Sequence, residues 1–162
     1  TWGKVGPNLE PLGYNLPLEA ERGYHLIFQN PGITVNNSIM DIDAKFVASS
    51  MSAGVRCAGT AEFAGLDALP DYRRSQIFVR LAERLFPNIN TIDTIEWMGS
   101  RPSFPDSLPC LGEVPGKKGL FCAFGHSHYG FGMAPNTGRV VASIVTGEPV
   151  NIDLKPYQIG RF

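Results

Sequence analysis

Residues 119–138 read GLFCAFGHSHYGFGMAPNTG, and this stretch constrains the fold most. An apolar run, LFCAF at 120–124, leads into a turn holding Gly125, Gly130 and Gly132. The residues that follow predict a helix over 136–145, closed by Gly147 and Pro149. A lone strand, turn and helix cannot build a two-layer core. The unit is therefore expected to complete a sheet begun elsewhere.

The rest of the chain supplies a different pattern. RGYHLIF (22–28) predicts a strand, residues 39–50 one or two more, and GVRCAGTAEF (54–63) another after the Ser52-Ala53-Gly54 turn. Together they suggest an antiparallel meander. Residues 71–86 give the clearest helix: Ile77, Phe78, Leu81 and Leu85 recur at helical spacing, Asp71 can cap or charge the start, and Pro87 stops it. Residues 91–98 predict a further strand, and residues 2–17, rich in Gly and Pro, a loop or short helix. The fold class is α+β: an antiparallel sheet with one long helix, plus the strand–turn–helix.

Composition narrows the function classes. A chain of 162 residues with 43% hydrophobic and 18% charged residues can hold its own core and is not a disordered tail. A net charge of −1 gives no electrostatic ground for a nucleic acid or anionic membrane partner. No apolar run approaches the roughly 20 residues of a membrane span, and no signal peptide is visible. Cys57, Cys110 and Cys122 are sparse and odd in number, which predicts reduced cysteines in a cytoplasmic protein, with peripheral attachment to a membrane left open. His126 and His128 form an H-x-H pair, but nothing at the right spacing completes a metal site, so no metal is expected. Because the chain starts at Thr1 rather than Met, it is expected to be cut, processed or part of a longer whole.

Two segments carry chemistry. The glycines of 125–132 let backbone N–H groups approach a ligand, and the helix start behind them favours an anion. Residues 97–112 hold Pro102, Pro105 and Pro109, which predict a stiff extended loop carrying one cation, Arg101. A guanidinium held on such a loop suits a carboxylate, although pairing with the nearby Asp106 is the competing reading.

Taken in order, G-x-R-P-x-x-P-D-x-x-P-x-x-G at 99–112 and G-H-x-x-x-G-x-x-x-A-P-x-T-G-R at 125–139 resemble the D-amino-acid dehydrogenase and glycine oxidase (DAO) family of FAD-dependent oxidoreductases. Thr1-Trp2, Glu21-Arg-Gly-Tyr24, Ala58-Gly-Thr-Ala-Glu-Phe63, Ile152-Asp153 and Arg161-Phe162 resemble further family segments, so the likeness covers nearly the whole chain. The N-terminal G-x-G-x-x-G fingerprint of such enzymes is absent from this sequence. The resemblance therefore implies the C-terminal portion only. In that reading 1–14 end a flavin-domain segment, 15–98 form the substrate-binding domain, and 99–162 return to the FAD-binding domain, whose dinucleotide-binding half is the missing partner.

The resemblance further implies oxidation of a D-amino acid, or a related amine, to the imine and 2-oxo acid by hydride transfer to FAD. A sarcosine- or glycine-type amine oxidase, and a non-catalytic carboxylate-binding module, are the alternatives. Arg101 matches the position that grips the substrate carboxylate. Gly125, His126, Ser127, His128, Tyr129, Gly130, Phe131, Gly132 and Met133 match the segment around the flavin. Tyr24, Phe46 and His128 complete the expected substrate contacts. Three departures stand out. Glycine oxidases carry Arg where this chain has His128, and a neutral His cannot replace that cation. Their substrate-binding Tyr has no counterpart here, Phe46 or Val47 falling near it. No Cys lies near Arg101 where sarcosine oxidases attach the flavin, so FAD is expected to bind non-covalently. No acid or base is nominated.

Overall fold

The computed structural model describes residues 9–162, so the Thr1-Trp2 match lies outside the described residues. The fold is α+β, as expected. Elements in chain order are β1 Glu19–Phe28, β2 Ile39–Asp41, β3 Phe46–Met51, β4 Gly54–Ala58, β5 Glu62–Phe63, α1 Arg73–Leu85, β6 Thr94–Ser103, β7 Cys110–Glu113, β8 Phe121–Phe124 and α2 Gly130–Thr146. The chain packs as two compact units, one of residues 22–99 and one that joins the stretch up to Glu21 to Ser100–Phe162.

In the 22–99 unit, strands run in the order β2-β3-β4-β1-β5, with β6 also paired to β1. The β2–β3, β3–β4 and β1–β4 pairs are antiparallel, with Leu26 opposite Cys57 and Ala48 opposite Cys57 across the two ladders. This register puts Leu26, Phe28, Ala48, Val55 and Cys57 in the core with Phe46, which packs on Phe78 of α1. Gly54 sits at φ 129° in the β3–β4 turn, and a Cβ there would collide with the Phe28 carbonyl, so only glycine serves.

Helix α1 buries Ser75, Phe78 and Ala82, spaced three and four apart. Ile77, expected on the buried stripe, is exposed, because the stripe turns toward Ala82. Asp71 does supply the start: its Oδ1 accepts the Arg73 N–H at 3.2 Å, although Tyr72 occupies the cap position.

The second unit closes around Phe104, Cys110, Val114, Cys122 and Ile159, with Leu16, Leu18 and Phe124 against them. Three expectations are corrected here. The 97–112 stretch is not one loop: β6 extends through Arg101 to Ser103, and β7 forms at Cys110–Glu113. Strand β8 therefore has a partner within the chain, with Cys110 opposite Phe124 and Gly112 opposite Cys122. The prolines misled because Pro102 and Pro109 sit at the end of one strand and just before another, where a missing N–H costs little. Helix α2 begins at Gly130 rather than 136, taking Gly130, Gly132 and Pro135 into its first turns. The meander also differs in detail, since 54–63 splits into β4 and β5.

Candidate functional site

Strand β6 sets Arg101 and Ser103 two residues apart, so both side chains leave the same face. That face meets Glu21 near the start of β1, the strand with which β6 pairs. Ser103 Oγ donates to Glu21 Oε2 at 2.7 Å, and Arg101 Nη1 lies 3.5 Å from Oε1. His128 Nδ1 approaches the same Oε1 at 3.0 Å. One carboxylate thus gathers a hydroxyl, a guanidinium and an imidazole.

Glu21 is only 6% exposed. Burying a lone carboxylate costs several kcal/mol, which its partners must offset. The Ser103 hydroxyl and the His128 ring sit at ordinary hydrogen-bond lengths, whereas the 3.5 Å Arg101 contact is at the limit of one. With Glu21 ionised, Nδ1 of His128 must carry a proton. Among the described residues no other hydrogen-bond partner holds the Arg101 guanidinium, which is 30% exposed. Its remaining N–H groups are available for a bidentate partner. Asp106, the alternative partner considered from sequence, is taken instead by Arg161, whose Nε and Nη2 reach its two oxygens at 2.7 and 3.2 Å.

His128 belongs to a single 3-10 turn, Ser127–Tyr129, that runs directly into α2. Gly125 enters this turn at φ 81°, and a Cβ there would fall into the Phe104 ring. Ser127 also has positive φ, 50°, which is costly for a residue with a side chain. It is 7% exposed, and its Oγ has no partner among the described residues. Helix α2 follows this turn without a side-chain cap. His126 goes a different way from His128: its Nε2 meets Thr137 Oγ1 at 3.0 Å, and burial lowers its pKa. Among the described residues no three His, Cys, Asp or Glu side chains gather as metal ligands.

An orphaned buried hydroxyl, a strained turn and an uncapped helix start form a donor-rich edge with a positive dipole end. These residues fit the acceptor-rich pyrimidine edge of a flavin. Farther along the helix, Gly132, Met133, Asn136 and Arg139 line a cavity of about 270 Å³ with Leu111 and Tyr157. Tyr129 and Phe131 are exposed, Phe131 almost fully at 98%.

Arg101, His128 and the 125–133 turn all belong to one unit. Tyr24 and Phe46, also expected at the substrate, belong to the other and are committed to its interior. Tyr24 is 2% exposed; its hydroxyl donates to Glu62 Oε2 at 2.6 Å and accepts from Arg22 Nη2 and the Asp71 N–H, each at 3.1 Å. Phe46 is a core side chain. Arg22 itself is buried, 3.2 Å from Glu62 Oε2 through Nε but without hydrogen-bond alignment, so its firm bonds run from Nη2 to Tyr24 and to the Leu69 carbonyl at 2.9 Å. This cluster ties β1 to β5 and the start of α1.

Sequence reasoning missed Glu21 and Ser103. Glu21 stands inside the E-R-G-Y segment, where an acid next to Arg22 reads as a local pair. Yet adjacent strand residues point to opposite faces, and that alternation was the available signal.

A family model described as "FAD dependent oxidoreductase" (DAO) matches residues 2–144. A D-amino-acid oxidase of Bradyrhizobium diazoefficiens is 41% identical over 157 residues, which are 93% of this chain and 37% of that protein. A D-amino acid dehydrogenase of Paramagnetospirillum magneticum is 38% identical over 160 residues, 94% of this chain and 36% of its own length. Glycine oxidase from Geobacillus kaustophilus superposes with a TM-score of 0.83 at 22% identity, covering 100% of this chain and 44% of that one. The present chain thus spans little more than a third of the length of the curated relatives it matches.

Proposed function

Since the chain belongs to the DAO family of FAD-dependent oxidoreductases, we propose that it is the substrate-binding and flavin-contacting portion of an enzyme that oxidises a D-amino acid. The unit of residues 22–99 corresponds to the substrate domain of such enzymes, while Arg101, His128 and the flavin-facing turn all lie in the unit that joins the stretch up to Glu21 to Ser100–Phe162. A dinucleotide-binding segment, whose fingerprint this sequence lacks, completes the cofactor site. The observation that carries the reading is the meeting of Arg101 and His128 at the buried Glu21 carboxylate, with His128 next in sequence to Ser127 and its unpartnered hydroxyl.

FAD, bound non-covalently, supplies the acceptor for the hydride that leaves the amino-acid Cα, after which the imine hydrolyses to a 2-oxo acid and ammonia. The chain's own residues orient and charge-match. Arg101 takes the substrate carboxylate with its free N–H groups, in the forked geometry a guanidinium provides. Glu21, held by the Ser103 hydroxyl, lies beside that guanidinium. Ser127 Oγ, the Gly125–Gly130 turn and the first N–H groups of α2 hold the flavin edge and favour negative charge there. Among the described residues no helix is long and apolar enough to cross a membrane. Three free, buried cysteines support a cytoplasmic location.

The test is anaerobic mixing of the full-length, FAD-loaded protein with D- and L-amino acids, sarcosine and hydroxyproline isomers, followed by flavin absorbance. Bleaching by D-amino acids is the expected result. A bound flavin that none of them bleaches removes the amino-acid reading. Admitting air afterwards separates an oxidase from a dehydrogenase.

A further inference from the structure

We propose that His128 is the group that takes a proton from the substrate's ammonium, and that Glu21 is the positioning residue that makes it able to do so; this rests on the amino-acid reading above. An amino acid in neutral water carries –NH3+, and a hydride cannot leave its Cα until the nitrogen has a free lone pair to receive the resulting positive charge. Some acceptor must remove that proton.

The geometry singles out His128. Its Nδ1 is 3.0 Å from Glu21 Oε1, so the neutral ring carries its proton on Nδ1 and leaves Nε2 as a bare acceptor. Nε2 has no hydrogen bond among the described residues, and the side chain is 49% exposed. The groups facing this pair are few. From β6 come Arg101 Nη1 at 3.5 Å and Ser103 Oγ at 2.7 Å from the Glu21 carboxylate. From the turn itself comes the Tyr129 ring, edge-on to the imidazole at 4.8 Å between centroids. No other carboxylate approaches His128 among the described residues.

The proton balance closes. One N–H bond of the ammonium breaks and its electron pair stays on nitrogen; a new N–H bond forms at Nε2. The neutral imidazole becomes an imidazolium whose charge lies against the buried Glu21 carboxylate, which stabilises it as it forms. The same shared carboxylate holds Arg101, so the group that takes the substrate's carboxylate and the group that takes its proton are set by one buried anchor. His128 thereby differs from Arg101, a fixed cation that cannot take up a proton.

The experiment uses the full-length, FAD-loaded protein, anaerobic, with D-alanine, D-proline and D-phenylalanine as reductants and propionate as a carboxylate probe without an amine. Flavin reduction rate is measured against pH at limiting substrate, and propionate affinity from the shift in flavin absorbance. His128→Gln, at a half-exposed position, is expected to slow reduction at pH 7 by about 10²–10⁴-fold while propionate affinity stays within about threefold. Glu21→Gln keeps the shape but not the charge, and is expected to move the acid limb of the rate profile to lower pH, because the neutral amide no longer favours the imidazolium. Wild-type reduction together with an unslowed His128→Gln overturns the proposal. Equal losses of propionate binding and reduction in His128→Gln also overturn it, making His128 a carboxylate contact. If none of the three amino acids reduces the wild-type flavin, the functional reading fails first, and this inference with it.

Discussion

Arg161 and Asp106, 55 residues apart in sequence, form a forked ion pair, Nε to Oδ2 at 2.7 Å and Nη2 to Oδ1 at 3.2 Å. The same guanidinium donates to the Leu108 carbonyl at 2.6 Å and lies 5.0 and 4.4 Å from the centres of the Phe104 and Phe162 rings. The C-terminal turn is thus clamped onto the segment between β6 and β7. The Arg161 guanidinium beside Asp106 holds that carboxyl below its usual range.

Asp106→Asn removes the charge and half the fork while keeping the volume. A partly buried Arg–carboxylate pair broken at one partner costs about 1–3 kcal/mol. Urea unfolding is expected to show a lower midpoint with an unchanged slope. An unaltered midpoint would mean that the Leu108 carbonyl and the two rings hold Arg161 without the carboxylate.

Tyr24→Phe separates a structural tyrosine from a substrate contact. The phenol's loss leaves Arg22, already buried with Nη1 unpartnered, short of one more acceptor, and deprives Glu62 of a 2.6 Å donor. The expected cost is about 1–3 kcal/mol of stability, read by thermal melting, with KM unchanged in the variant that remains folded. A raised KM at full stability would return Tyr24 to the substrate.

The fold class and the helix at 71–86 were legible because each rests on local periodicity, and Phe78 does lie on the buried stripe. Arg101 and the Gly125–Met133 turn stood out for the same reason, as a cation and a glycine cluster in a recognisable spacing. Glu21 did not, since its meaning comes from strand pairing: residues 82 and 107 positions away converge on it. No window of sequence shows that convergence. Strand β7 escaped because the surrounding prolines dominate local propensity, whereas its pairing to β8 is set by Cys110 and Cys122 filling one core. Ile77 misled because helical spacing fixes a stripe only to within one residue, and packing against the sheet chose Ala82.

Acid sensitivity should begin above the carboxylate range. His25 stacks on Trp97 at 4.8 Å between ring centres, and burial, reinforced by Arg56, lowers its pKa from 6.5 to about 4. A histidine whose folded value lies below its unfolded one stabilises the fold above pH 6.5, and that contribution is lost as pH falls toward 4. His126, also lowered by burial, acts in the same direction. Asp71, held down to about 2 by Arg73, acts only at lower pH. His25→Gln is therefore expected to flatten the fall in unfolding midpoint between pH 6.5 and 4 without changing the fall below it. Parallel curves for the two proteins across that window would show that His25 protonates as easily folded as unfolded.

Arg101→Lys tests the cation proposed for the substrate carboxylate. An ammonium carries the same charge but cannot present two parallel N–H bonds to one carboxylate. It would also sit differently against Glu21, where Arg101 makes only a long 3.5 Å contact. Losing one charge-assisted hydrogen bond is worth about 1.5–3 kcal/mol, so KM is expected to rise roughly 10- to 100-fold in the full-length enzyme. Flavin content should change little, because the groups proposed for the flavin edge are Ser127 and the start of α2, with which Arg101 shares no hydrogen bond. KM and the ratio of flavin to protein absorbance, measured on the same preparation, decide the matter. Flavin loss in step with the rise in KM would place Arg101 in the cofactor site rather than at the substrate.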